Sequence, residues 1–369
     1  MEESLRILVV GGGPAGSLSA MALGKKYDVL VVEEHQTPGF PVQCAGLISE
    51  ECYRKLKRYS DCKLNEISGA FFIAPSGKYV GLEGKVGGVV IERKILDRDL
   101  LAKASEFAEV WVKTKFIGVA ELVRMGERIE VDYDYIIGAD GVHSYVARTF
   151  GFDRPEILSA VQVECRYEPL DDRMVEIIFG KSYSDGFFAY AVPIGDTARI
   201  GVVSKSNPRL YLRRLLSKHP SVSRRVKGSL IELNVGAIPI GLVDFVKGRV
   251  ALVGDSAGMV KPYTGGGLYY LLLATEILTK NFPNLERFRK EFLSTVGREI
   301  SFGMKIYGLY SKLDDEDFEY LIGVAKENEH LAKELHMDKP STLLKLLPSL
   351  IKIVRRPKLL RKLLTSLAT

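Results

Sequence analysis

Cysteine is sparse in this 369-residue chain: Cys44, Cys52, Cys62 and Cys165 form no C-x-x-C pair, and five histidines are scattered among them. No zinc-ligand set is present in that spacing, so no metal site is expected, and nothing in it argues for a disulfide. Long apolar runs are missing too. No window reaches the roughly eighteen uninterrupted apolar residues that a membrane-spanning helix needs. The N-terminus enters a strand directly, without a basic and apolar leader, and a cytoplasmic location is therefore expected. Nor does the body of the chain carry a surplus of positive charge. The formal net charge is +6, but seven Lys or Arg and no acid lie between Pro340 and the end, and removing these leaves the remainder at −1. Without a basic face flanked by aromatic platforms, nucleic acid is excluded as a partner. Internal repeats and low-complexity linkers are also absent.

What is present begins at once. Arg6-Ile7-Leu8-Val9-Val10 runs into Gly11-Gly12-Gly13-Pro14-Ala15-Gly16 and, after a helical stretch, reaches Asp28-Val29-Leu30-Val31-Val32-Glu33. This order reads strand, glycine turn, helix, strand, acid. Gly11 permits the tight turn, Gly13 lets the backbone approach a pyrophosphate, and Gly16 lets the helix pack close on the strand. Ala15 belongs to the same turn, and Glu33 stands where a carboxylate accepts hydrogen bonds from an adenosine ribose. Further along, Ala70 to Ala74 and Gly88 to Ile91 read as strands of a separate sheet. Ile95 to Ala108 reads as a helix, Val110 to Val119 and Arg128 to Tyr133 as strands, and Val161 to Val203 as mostly β.

Two more motifs extend the dinucleotide site. Gly138-Ala139-Asp140-Gly141-Val142-His143-Ser144 reads as a strand-to-helix turn whose acid and hydroxyl hold a helix start and reach toward a pyrophosphate. Gly254-Asp255-Ser256-Ala257-Gly258, followed by Pro262 and Gly265-Gly266-Gly267-Leu268, sets an acid near ribityl and phosphate atoms with a helix N-terminus behind it. With the three fingerprints in order, the chain resembles the flavoprotein hydroxylase superfamily, which implies FAD. Reduced flavin is anionic, and the bare backbone at Gly266, Gly267 and Leu268 is suited to stabilise that charge.

Within the superfamily, Gly39 to Leu47 resembles a loop of the geranylgeranyl reductase family, in which a Pro-x-x-Cys places a cysteine beside the flavin ring; Pro41 and Cys44 match it, and Ala45 follows. The resemblance extends to Ile91-Glu92-Arg93, where the family's arginine contacts FAD, and to Val110 through Phe116, whose backbone meets the adenine. The family's Tyr-x-Trp-x-Phe-Pro stripe, which lines an isoprenoid cavity, is altered here to Phe188, Tyr190 and Val192 ahead of Pro193. An α/β fold is implied: a Rossmann-type FAD-binding domain of the para-hydroxybenzoate hydroxylase kind (residues 1–64, 93–153 and 236–300), an inserted antiparallel β-sheet substrate domain (65–92 and 154–235), and a C-terminal helical region (301–369).

The implied activity is FAD-dependent saturation of isoprenoid C=C bonds in a polyprenyl lipid or prenyl diphosphate. Hydride would pass from reduced flavin N5 to one carbon and a proton to the other, with Cys44, Tyr190 or a bound water as proton donor. The electron donor stays open between NADPH and ferredoxin. Two other readings stand beside this one: a flavin monooxygenase of the same superfamily, and a membrane-docked electron-transfer flavoprotein:quinone oxidoreductase. Between Ser341 and Thr369, Leu343, Leu347, Leu350 and Val354 recur at helical spacing. Lys345, Lys352, Arg355, Arg356, Lys358, Arg361 and Lys362 flank them, and Pro348 and Pro357 divide the helix. An apolar face with unpaired cations suits the interface of an anionic bilayer, so peripheral membrane contact through the tail is expected, from a monomer.

Overall fold

The computed structural model describes residues 5–39, 44–327, 336–344 and 356–368. Strand β1 (Arg6–Val10), helix α1 (Pro14–Leu23) and strand β2 (Asp28–Val32) open the chain, followed by β3 (Leu47–Ser49), α2 (Glu50–Leu56) and the long strands β4 (Lys63–Ile73) and β5 (Tyr79–Ile91). Helix α3 (Arg93–Ala104) leads to β6 (Glu109–Trp111), β7 (Thr114–Gly118), β8 (Glu121–Arg124), β9 (Glu127–Glu130), β10 (Tyr135–Gly138) and the short α4 (Tyr145–Thr149). Next come β11 (Glu156–Tyr167), β12 (Met174–Ile178), β13 (Ala189–Ile194), β14 (Thr197–Ser204), α5 (Pro208–Lys218) and β15 (Val226–Ile240). The chain closes with β16 (Val246–Lys247), β17 (Val250–Leu252), α6 (Leu268–Asn281), α7 (Leu285–Tyr310), α8 (Asp315–Lys326) and α9 (Pro357–Ala368).

One sheet has the order β16-β17-β10-β1-β2-β6. Its centre, β1, is parallel to both neighbours, and a strand covered on both faces is apolar at successive positions; Ile7, Leu8, Val9 and Val10 are all buried. The second sheet has eight strands, β15-β11-β14-β13-β12-β4-β5-β3, antiparallel except where β12 runs parallel to β4. Its side chains alternate between two faces. Val161, Val163, Ile200 and Val202 point toward Leu212 and Leu215 of α5, while Ala160, Ile177, Tyr190, Val192 and Val203 line a cavity. A three-stranded antiparallel sheet, β7-β8-β9, completes the β-structure.

Several elements differ from the sequence expectation. The helix expected over Ile95–Ala108 spans Arg93–Ala104 instead: the Glu92 carboxylate accepts the Lys94 N–H and starts it early, and turns at Glu106 and Phe107 end it. The strand expected over Val110–Val119 divides into β6 and β7, which belong to different sheets, because Lys113 takes a left-handed φ of 51°. All four cysteines are free. Pro41 lies outside the described residues, as do Leu347, Leu350, Val354, Lys345, Pro348, Lys352 and Arg355 of the tail. In α9, Leu359 is buried with Leu313 and Phe318 and Lys362 pairs with Asp314 (2.8 Å) and Asp317, while Arg356, just before the helix, lies over the Tyr320 ring. Among the described residues no helix is long and apolar enough to cross a membrane.

Candidate active site

A cavity of ≈ 730 Å³ lies between the two large sheets. Gly11, Gly13, Ala15, Glu33, Cys44, Ala45, Arg93, Phe116, Asp140, Tyr190, Asp255, Gly266, Gly267 and Leu268, residues far apart in sequence, all line it. Gly16 does not reach the cavity. It lies behind the lining, where a Cβ would stand 1.8 Å from the Gly11 carbonyl oxygen, so it is the closeness of α1 to the turn that requires glycine.

The polar half is built from helix starts. Gly13 caps α1 with no side-chain partner, and no atom lies within 4 Å of where its Cβ would be, so the turn faces the cavity as bare backbone. Glu33 is buried and partly engaged, since one oxygen accepts the Gly12 N–H (2.7 Å) and the other meets the His35 N–H and ring (2.8 Å each). Asp140 is more fully engaged: it accepts from the Ser144 hydroxyl (2.6 Å) and from the Tyr145 and Val146 N–H groups (2.6 and 3.0 Å), so its carboxylate holds the start of α4. Burial pushes its pKa up against those three donors. Asp255 contrasts with it. No hydrogen bond from a described residue reaches its carboxylate, which faces the cavity near Gly267. Burial pushes its pKa up too, with the Arg93 charge opposing. Bare glycine turns at one end and an acid with open acceptor positions at the other fit a flavin dinucleotide, whose phosphates and hydroxyls need those groups.

The junction of the polar and apolar halves is held by a charged network. Arg93 forms a two-pronged bond to Asp97 (2.8 and 2.9 Å). Burial opposes its charge, but Asp97 and the neighbouring Cys44 thiol outweigh that and raise its pKa. Cys44 is half-buried and its sulfur accepts the Gly46 N–H at 3.3 Å. Tyr190 donates to Gln162 (2.9 Å), and burial, then the proximity of Cys44, pushes its phenol up, so it keeps its proton. Arg199, not marked as a site residue by the sequence reading, reaches this loop from β14. Its guanidinium donates to the Ala45 and Ile91 carbonyls (3.2 and 3.1 Å) and to Glu92 (2.6 Å), fixing the loop after Cys44 and the start of α3 together.

A second group also escaped the sequence. Lys261 pairs with Asp338 at 2.7 Å, both almost wholly buried, and both line the cavity beside the Gly265–Gly267 turn. A Cβ on Gly266 would stand 2.9 Å from the lysine chain. The segment bearing Asp338 is fastened by Tyr263 to Met337 (2.8 Å) and by Ser341 to Glu299 (2.6 Å). A lone lysine within Gly258-Met259-Val260-Lys261-Pro262 was a visible cue, whereas nothing local marks Asp338 as its partner.

Comparison with known proteins bears on the whole chain. Residues 9–46 match an NAD(P)-binding Rossmann-like domain. A protein of Methanocaldococcus jannaschii is 31% identical over 93% of this chain and 95% of its own. The digeranylgeranylglycerophospholipid reductase of Methanococcus vannielii is 32% identical over 80% of this chain and 81% of its own. Among solved structures, a geranylgeranyl bacteriochlorophyll reductase-like protein from Thermoplasma acidophilum superimposes with a TM-score of 0.82 at 24% identity, covering 99% of both chains. A p-nitrophenol 4-monooxygenase from Pseudomonas putida does so with 0.70 at 16%, covering 94% of this chain and 99% of its own. The fold is thus the mixed α/β fold of the para-hydroxybenzoate hydroxylase kind that the fingerprints implied.

Proposed function

The chain belongs to the family of the archaeal digeranylgeranylglycerophospholipid reductases, and we propose that it is an FAD-dependent oxidoreductase that saturates C=C bonds in an isoprenoid lipid or prenyl diphosphate. The observation that carries this is the single cavity in which bare glycine turns give way to an apolar half bounded by Ile177, Phe188, Val192 and Val203. Bound FAD, once reduced by NADPH, ferredoxin or another donor, would supply hydride to one alkene carbon. The protein's part is orientation, dryness and the proton. An unactivated alkene must be protonated early, and an apolar wall keeps water from the cation that results. Cys44 is the proton-donor candidate with an open approach, since Tyr190 is already committed to Gln162. Arg93 and Arg199 hold the Cys44 loop in place. A monomer in the cytoplasm, touching the membrane through its tail, completes the reading.

The test is anaerobic. The FAD-loaded protein is reduced with dithionite, a geranylgeranyl lipid is added, and flavin reoxidation and product mass are followed together. Mass gains in steps of two hydrogens, coupled to reoxidation and slowed in Cys44→Ala, support the reductase. Rapid reoxidation by a quinone with no mass gain on any prenyl substrate overturns it in favour of electron transfer.

A further inference from the structure

Positive charge is concentrated in one region that the overall balance conceals. From residue 197 to residue 231 the chain carries nine Lys or Arg and no Asp or Glu. Four of these are neutralised by acids from elsewhere: Arg199 by Glu92, Arg225 by Glu176, Lys205 by Glu156 and Lys227 by Glu168. The other five, Arg209, Arg213, Arg214, Lys218 and Arg224, are exposed and pair with no acid among the described residues. Four of the five lie on α5.

Beside α5 runs β15, the edge strand of the large sheet. Leu230, Leu233 and Val235 are in register with Cys165, Val163 and Val161, which lie in the core beneath Leu212 and Leu215 of α5. They therefore share that face one strand farther out, beyond the cover of the helix. With Ile231, the extra residue of a bulge, they are 48–62% exposed.

We propose that this face, α5 with the outer side of β15, docks the protein on an anionic lipid bilayer. Aliphatic side chains rimmed by unpaired cations suit the headgroup boundary, where apolar area and charge attraction add. A nucleic-acid groove would have no use for the aliphatic strip, and the surface offers little aromatic area for stacking bases. A second copy of the chain would set five uncompensated cations against five. The strand also leads inward. Eight residues on from Leu230, about 26 Å at the rise of a strand, Ala237, Ile238 and Pro239 line the cavity, and Ile238 packs on Gly265. This last step rests on reading the cavity as a lipid site, while the charge and the apolar strip stand without it.

The experiment is co-sedimentation of the full FAD-loaded chain with phosphatidylcholine vesicles, with and without about one third phosphatidylglycerol. Binding to the anionic vesicles should weaken with salt. It should fall on the order of a hundredfold in the triple variant Arg209→Gln, Arg213→Gln, Arg214→Gln, since each cation at such a surface counts for about a factor of five. The double variant Ile231→Ser, Leu233→Ser should lower the part of the binding that salt leaves. Flavin content and melting temperature check that both remain folded. The proposal is overturned by undiminished vesicle binding in the triple variant, or by loss only when Lys352, Arg355 and Lys358 of the tail are changed to Gln. Tighter binding to a duplex oligonucleotide than to vesicles, abolished in the triple variant, overturns it as well. Turnover of a short water-soluble prenyl substrate is measured in parallel. Docking without turnover counts against the reductase alone, and turnover without docking against this face alone.

Discussion

Lys261 and Asp338 meet out of water at the start of α6, which in the proposed reading faces the anionic end of the flavin. A buried cation there favours added negative charge, and its carboxylate partner moderates the effect. Lys261→Met is therefore expected to lower the two-electron midpoint potential, by about 30 mV or more, which corresponds to ~1.4 kcal/mol. Asp338→Asn should raise it. Spectroelectrochemical titration reads both, and unchanged potentials would remove the pair from any part in tuning. His219 offers a different signature. Burial pushes its pKa down from 6.5 to about 4, while its Nδ1 accepts the Ser221 and Val222 N–H groups. The unfolded chain takes up a proton near the ordinary value and the folded chain resists it, so stability is full above that value and lost as pH falls. About 2 kcal/mol should be gone between pH 7 and pH 5. In His219→Gln, denaturant melts should show a flatter profile over that window; equal losses in both proteins would place the acid sensitivity elsewhere.

The turn between β1 and α1 separates two kinds of glycine. At Gly13 a Cβ would point into open cavity, whereas at Gly16 it would collide with the Gly11 carbonyl. Gly13→Ala should leave the melting temperature of the flavin-free protein unchanged and sharply reduce the flavin retained through gel filtration. Gly16→Ala should lower that melting temperature even without flavin. The places of these glycines were legible in the sequence because turn, helix start and acid lie within a few dozen residues and follow local backbone rules. What joins the elements was not. Arg199 ties β14 to the Cys44 loop and to the start of α3, partners more than a hundred residues away, and only the register of the large sheet brings them together. The aromatic stripe was legible in part: period two places Tyr190 and Val192 on one face of β13, while the ring cluster around Phe188, with Phe187, Phe179 and Tyr310, draws on α7 and on strands unseen as neighbours.

At the scale of the molecule, three fingerprints made the cofactor half readable, and the rest depended on contacts that no spacing encodes. Net charge misled in a similar way, because once the basic tail is set aside the remainder sums to −1, a balance that hid the acid-free stretch around α5. The segment 336–344 returns to a cavity otherwise framed by residues before 272. A chain ended after Glu327 would lose both the countercharge of Lys261 and the segment that keeps water from this side of the cavity. Such a chain should retain little flavin, as the ratio of flavin to protein absorbance after gel filtration would report; full retention would show that the segment is a passive cover. The order of synthesis makes the same feature matter in the cell. Translation delivers the first glycine turn more than three hundred residues before the acid that neutralises Lys261, so while the chain grows the chamber is open on one side and that lysine is still hydrated. Closure of the chamber over Lys261 therefore waits on this segment, and until it folds back the apolar half of the cavity is open to water and to whatever binds exposed apolar surface.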